Sequence, residues 1–258
     1  MRLPVALCLC LAACAPAYEL PSGPPAPAPE AAAGRPRTAA DFRRVAARVG
    51  PEGERLCREQ DPGAPGNWCF FRIALERDPR MPPNAFETEA DDGSAVIVVG
   101  ATLLDQMRSD DELAFVLSHE MSHHIAGHIP KQQAQQEYGA LLFGGLAAAA
   151  ANAYGIPASP DSIEQAMNLG AALGGRVYSQ TYELEADTLG AYIAARAGYD
   201  PSTGAQLFER PGIRSEGGSW LLTTHPGSAE REANIASVEA DIRAQEARGL
   251  SPTPPRGS

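Results

Sequence analysis

Four of the five histidines of this chain fall within ten residues, in His119-Glu120-Met121-Ser122-His123-His124-Ile125-Ala126-Gly127-His128. The stretch contains H-E-x-x-H, a spacing that acquires meaning on a helix. Positions four apart lie on one helix face, about 40° apart, so His119 and His123 can aim imidazole nitrogens at a single metal ion. Glu120 is rotated about 100° from His119, near enough to reach a water on the metal without binding the metal itself. Zinc lowers the pKa of such a water toward neutrality, and a carboxylate can then take its proton as general base. A chain built this way must hold one helix firmly and bring at least one further ligand to it, since catalytic zinc sites use three protein ligands.

The flanks agree with a helix. Ser109-Asp110-Asp111-Glu112 offers an N-cap and an acidic first turn, and Ser109 with Glu112 fits a capping box. Leu113, Val116, Leu117 and Met121 recur at helical spacing, and Pro130 is expected to close the run. Continued along the same helix, His128 lies about 140° from His123 and faces away from the metal. It then reads as a cation-capable residue at a helix C-terminus. His124 is also off the metal face and reads as structural.

The third ligand does not follow the metzincin pattern, because Ala126 and Ile129 occupy the positions that would hold its Gly and His. Another candidate lies downstream in Glu183-Leu184-Glu185-Ala186-Asp187. Glu183 and Asp187 are four apart and share a helix face, whereas Glu185 points about 200° away from Glu183. One carboxylate of such a pair can bind the metal while the other receives the outer N–H of a ligand histidine and fixes its tautomer. The apolar residues Leu184, Ala186, Leu189, Ala191, Ile193 and Ala194 argue against a merely solvated acidic face. The fifth histidine, His225, precedes Pro226, which disfavours the helical region for it and places it on a loop or at an element boundary.

Four stretches occur in order: Pro82-Pro83-Asn84-Ala85-Phe86, Asp111 through the H-E-x-x-H to His123, Glu183 to Gly190, and His225-Pro226 with Arg231. Together with Ala197-Gly198-Tyr199-Asp200-Pro201, they resemble the zinc metallopeptidase family of the CAAX prenyl proteases and HtpX heat-shock proteases. The likeness is greatest to its periplasmic branch of BepA-like and LoiP-like lipoproteins. The resemblance implies one zinc ion per subunit on His119, His123 and Glu183, Glu120 as base, and Asp187 and Arg231 as supporting groups behind the ligands. It also implies proteolysis, with protein or peptide substrates. In resembling proteins the histidine matching His225 can reach the zinc as a fourth ligand and hold the site closed. Moved aside, it could instead donate to a developing oxyanion. One departure stands beside the site: Glu87 follows Asn-Ala-Phe where a small residue is usual.

The N-terminus supplies an address. Met1-Arg2, an apolar run and Leu11-Ala12-Ala13-Cys14 have the form of a bacterial lipoprotein signal, so residues 1–13 are expected to be removed and Cys14 acylated. No aspartate follows Cys14, which by the sorting rules of Gram-negative bacteria favours the outer membrane, with the enzyme facing the periplasm. Residues 14–38 are rich in Pro and Ala and read as an extended tether. Residues 39–250 form the expected metallopeptidase domain, and residues 251–258 a disordered tail. A net charge of −11 argues against nucleic acid as a partner. With Cys14 acylated, Cys57 and Cys69 remain as a pair that could form a disulfide or stay as buried thiols.

The pattern is α+β. It predicts a helix over residues 41–49, strands over 70–75 and 95–99 with 84–88 as a third, and helices through most of the rest. Residues 139–151 form an apolar, Gly/Ala-rich run too short to span a membrane. That run suits a helix packed closely through small residues, or a lid or membrane-touching hairpin near the cleft. The expected whole is a mostly helical, gluzincin-type metallopeptidase domain with a small sheet beside the zinc-binding helix. Two other functions compete: a non-cleaving chaperone or binding module on the same fold, and a zinc amidase acting on cell-wall peptides.

Overall fold

The computed structural model describes residues 34–177, 179–210, 225 and 229–255. The expected signal segment, Cys14, most of the tether, Pro226 and residues 256–258 lie outside the described residues. The architecture is α+β and mostly helical, with one small sheet.

Helix α1 (Ala39–Gln60) starts at Thr38, where the Thr38 and Asp41 side chains form a complete capping box. It runs past the expected end at Val49 and through Pro51. A proline inside a helix forfeits a hydrogen bond. Here the next turns continue the buried stripe of Val45 and Val49 with Gly53, Leu56 and Cys57, so continuation gains core contact. Cys57 is joined to Cys69 by a disulfide with a Cα–Cα distance of 5.5 Å, tying α1 to the entry of the sheet.

The sheet has strands β1 (Phe71–Glu76), β2 (Ala85–Glu89) and β3 (Ala95–Gly100) in the order β1-β3-β2. β3 is central, parallel to β1 and antiparallel to β2. Its alternation sends Ala95, Ile97 and Val99 into the core. β2 is therefore an edge strand, joined to β3 by a turn that uses Gly93 at φ 76°.

After the short α2 (Ala101–Leu104) comes α3 (Asp110–Ile125), the central helix. Residues 112–122 are all buried, the pattern of a helix enclosed by protein on every side. It packs on α1, on strands β2 and β3, on α6 (Ser179–Arg196) and on α7 (Pro201–Ala205). Contact with α6 is close: a Cβ on Gly190 would lie 3.1 Å from the His119 backbone nitrogen. A 3₁₀ turn (Gln206–Glu209) follows α7, and α8 (Ala229–Glu246) packs on α6 and α7.

Helices α4 (His128–Ala153) and α5 (Pro160–Val177) form an antiparallel hairpin. The run at residues 139–151 packs through small residues: a Cβ on Gly139 would meet the Gly170 carbonyl oxygen at 2.2 Å. Among the described residues no helix is long and apolar enough to cross a membrane.

Residues at both edges of the expected domain are held against it. Residues 34–38, assigned to the tether, dock on the domain: Arg37 donates its backbone N–H to Met107 O and its guanidinium to Asp110. Residues 251–255, expected to be disordered, pack on α6 and α8. Pro252 and Pro254 are buried, and Thr253 exchanges hydrogen bonds with Gln245. In both places a backbone poor in apolar side chains is held by polar partners supplied by the folded helices.

Candidate metal centre

Ser109 caps α3 by accepting from the Glu112 backbone N–H at 3.1 Å. The expected capping box is only half formed. The Glu112 carboxylate instead accepts from the Arg108 backbone N–H at 2.6 Å and pairs with Arg210. The other end differs more. α3 stops at Ala126 because Gly127 takes the left-handed conformation, φ 63° and ψ 39°, and a new helix begins at His128. Pro130 sits inside the first turn of α4 and closes nothing.

On α3, His119 and His123 bring their Nε2 atoms to 3.0 Å from each other. Glu183 on α6 places one carboxylate oxygen 3.3 Å from His119 Nε2 and the other 3.3 Å from His123 Nε2. His225 completes the group, with Nδ1 3.2 Å from His119 Nε2 and 3.0 Å from Glu183 Oε1. All four donor atoms lie within 4.8 Å of one another. A tetrahedral zinc site with bonds of about 2.0–2.1 Å has ligand–ligand edges of about 3.3–3.4 Å. The donor chemistry of three imidazoles and one carboxylate suits zinc, and the separations of 3.0–3.3 Å among His119, His123 and Glu183 are close to that spacing, with His225 beside them.

Two of these groups, His119 and Glu183, are oriented from behind. Asp187, one turn along α6 from Glu183, accepts from His119 Nδ1 at 2.9 Å. Arg231 on α8 donates two hydrogen bonds of 2.6 Å to Asp187 and forms an ion pair with Glu183 at 3.0 Å. The guanidinium itself lies over the Phe208 ring, 4.6 Å from its centroid. The electrostatics follow this layout. Burial works to raise Glu183, but the facing imidazoles of His225, His119 and His123 hold it well below the ordinary carboxylate range. Burial works to lower His119, but Glu183 and Asp187 outweigh it and raise the imidazole to about 9. For His123 burial prevails, and its value is lowered.

Glu120 is buried beside this group. Its Oε1 accepts no hydrogen bond and lies 3.3 Å from His225 Nε2. This buried carboxylate is thus held beside the imidazole group, where it can act as a proton acceptor. The cleft in front has a volume of about 180 Å³ and is bordered by β2, α3, α4 and α6. Phe86, Glu87, Glu120, Tyr182 and Ile129 are on its walls.

All the residues proposed from sequence for the metal, His119, His123, Glu183 and His225, are brought together, with Asp187 and Arg231 behind them. His124 faces away from this group. Its Nε2–H donates to Trp68 O at 2.8 Å, its ring lies tilted against Trp68, and its Nδ1 lies 3.0 Å from Glu87 Oε1. Glu87 is thus fixed at the cleft wall by a histidine of the metal helix.

His128 does not face away as the helical projection implied. It is buried, with Nδ1 2.8 Å from His123 Nδ1 and Nε2 3.0 Å from Glu185 Oε2, and its ring stacks on Tyr182. The projection assumed one continuous helix, and Gly127 resets the direction. A glycine four residues after the second motif histidine was the available signal.

A buried His/His/Glu constellation with a carboxylate poised beside it, on a helical domain with a small flanking sheet, defines a metallopeptidase domain of the H-E-x-x-H class. The comparison with known families is specific: residues 44–239 match Peptidase family M48, and the chain belongs to that family. Similar proteins include Metalloprotease LoiP of Escherichia coli (strain K12), 36% identical over 140 residues, which are 54% of this chain and 53% of LoiP. Mitochondrial metalloendopeptidase OMA1 of Arabidopsis thaliana is 33% identical over 146 residues, 55% of this chain and 27% of the relative. The OMA1 of Schizosaccharomyces pombe is 31% identical over 169 residues, 64% and 45% respectively. The matches span about half or less of the length of these relatives.

Proposed function

We propose that this chain is a zinc-dependent endopeptidase of the bacterial cell envelope that cleaves misfolded or envelope proteins and rests in a closed state held by His225. The carrying observation is the convergence of four donors around one point, with the buried Glu120 carboxylate beside them. Family membership and the metalloprotease names of its relatives support hydrolysis of peptide bonds. A zinc ion bound by His119, His123 and Glu183 would supply a Lewis acid for the scissile carbonyl and acidify water.

The protein's own groups do the rest. Glu120 accepts the proton of the attacking water and delivers it to the leaving amine. Asp187 holds His119 in the tautomer that leaves Nε2 free, and Arg231 locks Asp187 and Glu183 in place. His225 stands where a substrate or water would have to enter, so it must swing aside for turnover.

Glu120→Gln should retain zinc but lose casein cleavage by about 10²- to 10⁴-fold, the range for removal of a general base. Cleavage at the wild-type rate would eliminate the mechanism. His225→Ala separates its two roles. Loss of a plug raises basal proteolysis, whereas loss of an oxyanion donor lowers it at unchanged zinc content. The location is a proposal of the same kind: acylation of Cys14 would hold the enzyme at the outer membrane. Cys14→Ala should then leave the membrane fraction, and its persistence in the pellet would refute the anchor.

A further inference from the structure

We propose that His128 and Glu185 form a second positioning relay for the metal site, acting on His123 as Asp187 acts on His119. The inference rests on the zinc reading above. Both ligand histidines bind through Nε2, so each must carry its proton on Nδ1 and needs an acceptor there. For His119 the acceptor is a carboxylate, Asp187, at 2.9 Å. For His123 the atom in that place is His128 Nδ1 at 2.8 Å.

Two imidazole nitrogens at that distance require one to donate and the other to accept. With His123 Nδ1–H as donor, His128 must be the tautomer protonated on Nε2, and that N–H points at Glu185 Oε2, 3.0 Å away. The chain is directional and complete: His123 donates to His128, and His128 donates to Glu185. His128 and Glu185 are 4% and 1% exposed, so water cannot readily substitute for either.

Three further features hold the relay rigid. Gly127, in the left-handed conformation, turns the chain so that His128 opens α4 directly behind His123. Tyr182 stacks on the His128 ring at a centroid distance of 4.4 Å and an interplanar angle of 18°. Gln135, two turns along α4, donates to the Tyr182 hydroxyl. The two carboxylates flanking Leu184 thus have divided roles, Glu183 at the metal and Glu185 behind His123. That explains why Glu185, on the opposite side of α6 from Glu183, is buried rather than solvated.

The test uses zinc affinity of the full chain, measured by chelator competition, together with the cobalt-substituted visible spectrum. His128→Asn keeps an acceptor near the Nδ1 position, while His128→Phe keeps the ring and its stacking on Tyr182 but offers no acceptor. Positioning predicts that Phe weakens zinc by about 10- to 100-fold and Asn by much less, the range for lost outer partners of ligand histidines. Packing alone predicts the reverse order. A Phe variant within twofold of wild type, or one that loses no more affinity than Asn, overturns the relay. Glu185→Gln supplies a second route if the ring variants fold poorly. It should shift the cobalt spectrum and weaken zinc severalfold, and an unchanged spectrum and affinity overturn the relay. A wild-type chain that binds no zinc would instead overturn the metal reading itself.

Discussion

The pair α3/α6 and the hairpin α4/α5 are built alike and end differently. Both bring two helices together through glycines, Gly190 against the His119 backbone in one and Gly139 against Gly170 in the other. Yet α3 is buried through residues 112–122, while the hairpin leaves Tyr138, Leu141 and Leu146 at 73%, 66% and 52% exposure. Close packing through small residues therefore settles only one face of a helix. The other faces of α3 meet α1, the sheet and α7, and this enclosure holds His119 and His123 within 3.3 Å of the Glu183 carboxylate. The outer faces of the hairpin meet solvent, and packing within the described residues does not account for their apolar side chains.

The largest expected effect tests that contrast directly. Leu117 is fully buried on α3, so Leu117→Ala should cost about 2–5 kcal/mol in unfolding free energy. Leu141→Ala removes the same atoms from the exposed hairpin and should change stability by less than about 0.5 kcal/mol. Chemical denaturation of the two variants gives both values. Equal costs would mean that the outer hairpin face is covered in solution and would break the comparison.

The sequence was unequally legible in these two regions. The metal helix could be read because its chemistry is local: two imidazoles and a carboxylate at fixed helical offsets. Glu183 and Asp187 could be proposed for the same reason, four apart on an apolar helix. Which of them meets the metal is decided by the approach of α6 to α3 at Gly190, a tertiary fact that helical spacing leaves open. His128 was misread because a single left-handed glycine changes the direction of every later residue. The small residues at 139–151 pointed to close packing, but their spacing does not reveal how much of the helix remains uncovered. The extension of α1 beyond Pro51 likewise came from burial of Leu56 and Cys57, a gain that local propensity does not register.

The disulfide sharpens the comparison from the side of the enclosed helix. Cys57 and Cys69 are 12 apart in sequence, and closing a loop of that size restricts the unfolded chain by about 2–3 kcal/mol. The bridge fastens α1, which packs on α3, and has no part in the hairpin. Replacing both cysteines by alanine should lower global stability by that amount. Limited proteolysis at the hairpin turn, near Tyr154, should proceed at an unchanged rate under native conditions. Faster cutting there would show that the two regions unfold as one.

The smallest effects come from adding one methyl group in each region. A Cβ on Gly190 would lie 3.1–3.2 Å from the backbone atoms of His119 and Ser118, which cannot move without shifting the metal helix. Gly190→Ala should therefore destabilise by about 1–3 kcal/mol, as overpacking does, and weaken zinc at the same time. Gly145 lies on the exposed side of α4, and a Cβ there meets nothing within 4 Å. Glycine in a helix interior costs about 0.5–1 kcal/mol relative to alanine, because it loses more backbone freedom on folding. Gly145→Ala should then stabilise by that amount, raise the melting temperature and leave zinc affinity untouched. The same substitution thus carries opposite signs in the two helix pairs. If Gly145→Ala destabilised the protein, the side of α4 that carries Gly145 would have to press against something, and the hairpin could no longer be set apart from the enclosed core.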